Sequence, residues 1–88
     1  MSISDKQLGN ALILTPGNHN LTASMLRDVK FLILRGDGSY SLTLANIGSG
    51  VFKYLVIVNE TTENIAIANT EVPARSSIII TFSGTVWF

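Results

Sequence analysis

The side chains able to do chemistry are few and lie far apart. The single histidine, His19, sits in Pro16-Gly17-Asn18-His19-Asn20, a Gly/Asn-rich stretch read as a turn, where an exposed loop role is expected. There is no cysteine, so disulfides, iron–sulfur clusters and thiolate zinc sites are ruled out. The 6 acidic residues are scattered and lack EF-hand spacing; a carboxylate-only calcium site is the one metal site that composition leaves open. Nucleophilic catalysis needs a base held beside its nucleophile. His19 lacks that setting, and Asp37, Glu60 and Glu63 fall in expected turns rather than around a cleft. Gly36-Asp37-Gly38 is far short of a phosphate loop, which needs a longer Gly spacing, a Lys and a following helix. Arg35-Gly36-Asp37 spells an integrin-binding tripeptide, yet a hairpin turn favours those residues on conformational grounds alone. The chain therefore reads as a non-enzyme, with no catalytic, metal or cofactor-binding residue expected.

The elements that would carry these residues are short apolar runs separated by turn formers. Ala11–Thr15 ends at Pro16-Gly17; Val29–Leu34 ends at the Arg35–Ser39 turn; Tyr40–Ala45 alternates apolar with polar. Val51–Val58, Ile65–Ala68, Ser77–Phe82 and Thr85–Phe88 follow, the last two flanking Ser83-Gly84 as a tight hairpin. Leu21–Asp28 has room for one or two helical turns capped by Thr22, with Met25 and Leu26 on the buried side; a strand and bend is the alternative. Phe31–Asn46 aligns without gaps against Tyr54–Asn69, and Leu12–Ala23 is a looser third copy. Repeated β-hairpins, rather than a solenoid of stacked coils, are the reading of so few copies. The expected fold is all-β: a small antiparallel sandwich or barrel of about seven or eight short strands. Residues 1–10 are expected to be a flexible N-terminal arm and 11–88 a single β domain.

At 88 residues the domain buries only about 60–65% of its extended-chain surface, so the core is marginal without support. Net charge is 0, which removes the basic stripe an electrostatic nucleic-acid binder needs. Only 14% of residues are charged, against about 25% in ordinary soluble domains, and mean hydropathy is +0.39. Too few charges remain to cover the surface, which favours an apolar patch against a partner over a closed barrel with a Ser/Thr/Asn coat. Residues Met1–Asn10 lack the apolar stretch of a secretory signal, no run is long enough to span a bilayer as a helix, and the sequons at Asn20 and Asn59 read as chance. Tyr40, Phe52, Tyr54 and Trp87 could form a stacking platform, but without a basic groove beside them packing is the simpler role. The C-terminal Trp87-Phe88 demands burial, in the core or, slightly favoured, against a neighbour. Trp87, Phe88, Phe52 and Tyr54 are the candidate interface residues, and the partner expected is another copy or another subunit.

Three segments taken together carry a resemblance. Asn20-Leu21-Thr22-Ala23 leads into Phe31–Gly36, Tyr54–Thr62 runs from strand into an Asn-x-Thr-Thr turn, and Pro73–Ser76 leads to Ile80–Trp87. This succession, about Asn20 to Trp87, is similar to small all-β virion modules of tailed bacteriophages, found in head-decoration, head-fibre and tail-fibre proteins. The chain differs in having Ala74-Arg75 where a glycine often closes the turn, and Ser83-Gly84 in place of Asp-Gly. The resemblance implies a non-enzymatic virion structural protein, made in the bacterial cytoplasm, commonly trimeric and packed against other virion proteins such as the capsid. It implies no cofactor, nucleic acid or membrane partner. The other readings are a carbohydrate- or receptor-binding module of a phage tail, with exposed Trp or Tyr beside Asn and Asp, and a small phage protein that blocks a host factor.

Overall fold

Continuous apolar runs such as Phe31–Leu34 cannot rest on a sheet with one wet face, and they belong where parallel strands stack. A computed structural model of the chain describes residues 5–88, with side chains from Gly9 onward. Its strands are β1 (Asp5–Leu8), β2 (Ala11–Leu14), β3 (Gly17–Leu21), β4 (Phe31–Leu34), β5 (Tyr40–Leu44), β6 (Lys53–Asn59), β7 (Ile65–Ile67), β8 (Thr70–Val72) and β9 (Ser76–Phe82). One helix, α1 (Ala23–Asp28), interrupts them. The principal sheet has the order β1-β2-β4-β6-β9; β3 pairs with β5, and β7 with β8.

The all-β class stands, but the hairpin arrangement does not. β4 and β5 do not pair with each other, nor do β6 and β7. Instead β2, β4 and β6 run parallel, as do β3 and β5. The repeats are therefore successive coils laid on one another rather than the expected hairpins. Two antiparallel caps explain how so few coils suffice: β1 closes one side of the ladder on β2, and β9 closes the other on β6. The sheet is thus mixed, not an antiparallel sandwich or barrel. The gapless alignment sets Phe31 against Tyr54, whereas the ladder sets Phe31 against Val56. A shift of two residues keeps every side chain on its face, so the inward pattern survived the misregister.

Of the arm expected over residues 1–10, residues 1–4 lie outside the described part and residues 5–8 form β1. The helix begins as expected: Thr22 is its N-cap, accepting from the Met25 N–H at 3.4 Å, and Leu26 is fully buried. β3 and β8 were not expected: residues 16–20 read as a turn, and no element is assigned to 70–72. The tight turn of the β7–β8 hairpin uses Ala68 and Asn69, both left-handed at φ 52° and 60°. Arg75, at the position where the resembled modules often carry glycine, is left-handed too, at φ 57°.

The core lies between the principal sheet and the β3–β5 and β7–β8 pairs. Its inward rows are Leu12–Leu32–Ile57–Ile78 and Leu14–Leu34–Asn59, with Leu55 against Ile80. The corners of successive coils also touch. Gly38, at φ 148°, lies so close under Pro16 that a Cβ there would stand 2.7 Å from the proline Cβ.

Candidate interaction surface

The residues that looked chemical act as fasteners. His19 is in β3 rather than an exposed turn, is buried, and its Nε2 lies 2.6 Å from the Thr15 carbonyl. The alternation of β3 turns it inward toward Tyr40 (ring centroids 6.5 Å apart), a placement hidden by the turn-like residues around it. The Tyr40 hydroxyl reaches back over the coil corner, 2.7 Å from the Gly36 carbonyl and 2.9 Å from that of Arg35. Burial, then the nearby Asp37 charge, raises the Tyr40 pKa.

The Arg-Gly-Asp tripeptide is committed internally. Arg35 donates to both carboxylate oxygens of Glu60, at 2.6 and 3.3 Å. Asp37 accepts from the backbone N–H of Thr62 at 2.9 Å and from its hydroxyl at 3.0 Å. These bonds clip the corner after β4 to the corner after β6. The Thr62 backbone N–H, then its hydroxyl, lower the Asp37 pKa, and the bond from Arg35 lowers that of Glu60.

Asn59 ends an otherwise leucine row and is buried. Its amide nitrogen donates to the carbonyls of Glu63, Val72 and Pro73 at 2.8, 3.1 and 3.2 Å. Its oxygen accepts from the Thr61 N–H at 2.9 Å and from the Thr61 hydroxyl at 2.7 Å. One side chain thus ties the 59–64 turn to the β8–β9 connection, and the sequon asparagine has no free amide.

The aromatic residues separate into two groups. Trp87 is 8% exposed, packs on Phe82 with ring centroids 5.2 Å apart, and donates its indole N–H to the Ala45 carbonyl at 2.9 Å. Phe52, Tyr54 and Phe88, by contrast, are 76%, 72% and 62% exposed. Phe52 and Tyr54 share a cleft of about 450 Å³ with Phe31, Val56, Lys30 and Lys53. Basic groups therefore do stand beside the exposed rings, Lys30 just before β4 and Lys53 at the start of β6; only Trp87 and Tyr40 left the expected platform for the interior.

The exposed group continues across the outer face of the principal sheet. Its rows are Phe31–Val56–Ile79, Ile13–Ile33–Val58 and Tyr54–Thr81–Phe88, the last held by reciprocal backbone bonds between Thr81 and Phe88 at 2.7 and 2.9 Å. None of these residues is charged, and Ile79 is 65% exposed. Strand spacing and rise give these nine positions a face of about 300 Å² per copy. Ile79 is not among the expected interface residues, because three isoleucines in a row carry no alternation to mark the outward one.

Among the described residues, no three His, Asp or Glu side chains group as a metal site, and no helix is long and apolar enough to cross a membrane. No family model, curated protein or solved structure matches the chain.

Proposed function

We propose that this chain is a non-enzymatic structural module that self-associates, of the kind built into bacteriophage particles. The observation that carries the reading is the run of uncharged residues on the outer face of β2, β4, β6 and β9, with Tyr54, Ile79 and Phe88 standing out of it. An apolar patch of about 300 Å² matches the largest patch on an ordinary monomer, which is often a contact site, and its area suits a weak or transient interface. The titratable residues support it from the other direction, since Arg35, Asp37 and Glu60 are engaged in holding coils together and His19 is bonded within its own corner. Placement in a virion, against further copies (a trimer is what the resemblance implies) and the capsid, rests on the phage-like succession of segments.

Light scattering across a concentration series tests the self-association. Wild type is expected to form oligomers at micromolar concentration, and Tyr54→Lys to shift that equilibrium toward monomer while staying folded. Mass spectrometry of purified particles tests the location: the chain is expected among virion proteins. A wild-type monomer at every concentration, absent from particles, overturns the proposal.

A further inference from the structure

The two edges of the principal sheet differ. β1 (DKQL) carries two charged residues, the usual guard against strand pairing, whereas β9 (SSIIITF) carries none and no proline. Backbone alternation fixes what the β9 edge offers. Thr81 bonds to Phe88 on the side away from β6, while the Val56 N–H turns away from β9 to Lys30. By the same alternation, the N–H and C=O groups of Ser77 and Ile79 also point away from β6. No partner for them exists among the described residues.

Resting on the self-association proposed above, we infer that two copies join through this edge, β9 pairing antiparallel with β9 of the second copy about a twofold axis at Ile78. The register follows from what is free. Ser77 of one copy faces Ile79 of the other and exchanges both backbone bonds with it, twice over by symmetry. Pairing can extend only over Ser76–Ile80, because the C-terminal segment already occupies the edge at Thr81. The second copy ends its strand at the matching place: Arg75, the residue opposite Thr81 in this register, is left-handed at φ 57° and turns the chain off the edge. The free length of edge and the length of strand able to fill it are the same five residues, which makes a second copy a better fit than an arbitrary strand. The pairing also sets the two apolar outer faces side by side in one continuous sheet.

Amide hydrogen exchange on the wild-type protein reads this directly. The Ser77 and Ile79 amides should exchange freely at low concentration and slow by at least about tenfold where the chain associates. Ser77→Pro removes an N–H with no partner in the chain and leaves Tyr54 and Ile79 in place; it should fold and lose the pairing. Assembly without protection of these amides, or association unchanged in folded Ser77→Pro, overturns the edge contact while leaving self-association standing, as does a purely trimeric mass. A strict monomer overturns both.

Discussion

Leu12, Leu32 and Ile57 form a row on the inside of the principal sheet with the rest of the core closed over it. On the outside, Phe31, Val56 and Ile79 form a row of comparable bulk that stays partly or largely exposed. The two rows share β4 and β6 and alternate residue by residue along them. Hydrophobic content does not distinguish them; polar satisfaction does. The inner side contains Asn59 and Thr61, with their buried polar atoms hydrogen bonded, whereas the outer rows need no polar partner and lack only a cover. A sheet apolar on both faces is the expected pattern for parallel strands, and here one cover is internal.

The sharpest break in this comparison is on the inner side. Leu34→Ala opens a cavity at a fully buried position and should cost about 2–5 kcal/mol, read by chemical denaturation. Asn59→Ala should cost somewhat less, about 2–3 kcal/mol, since it strips the donor from three carbonyls and the acceptor from Thr61. Tyr54→Lys on the outer side should change monomer stability by no more than about 0.5 kcal/mol while weakening association. If its effect on the monomer matches that of Leu34→Ala, the outer face is covered within the chain and the distinction fails.

The smallest effect belongs to the corner clip. Asp37 and Glu60 have pKa values lowered from ordinary values of 3.8 and 4.5, so the folded state favours their charged forms. Their stabilisation is full above those ordinary values and is lost as pH falls through the lower folded ones. Asp37→Asn should therefore flatten the acid limb of a stability–pH curve below about pH 4. A limb identical to wild type would mean that Asp37 contributes nothing to holding the corners.

The strand segments and the helix cap were legible because each depends on local pattern: Thr22 three residues before Met25, Phe31–Leu34 between turns, alternation over Tyr40–Leu44. Which strands pair was not legible. Phe31–Asn46 contains two strands and a glycine turn, and nothing local says whether the second folds back on the first or passes to the next layer. That choice is made by Pro16 over Gly38 and by Arg35 and Asp37 reaching the 60–62 turn, contacts between residues about 22–25 apart. His19 was misplaced for a related reason: a strand made of Gly, Asn and His is held by its neighbour β5, not by its own propensity. Of the candidate interface, Phe52, Tyr54 and Phe88 lie on the surface, and Trp87 went inward because the turn at Ser83-Gly84 folds it onto Phe82.

The capped ladder has a consequence for length. β1 and β9 finish the sheet at its two sides, and the layers between them meet only their immediate neighbours. A further layer introduced after β5 would find a parallel strand on either hand and would leave both terminating strands untouched. The distance between the two terminating strands is thus set by the number of layers between them.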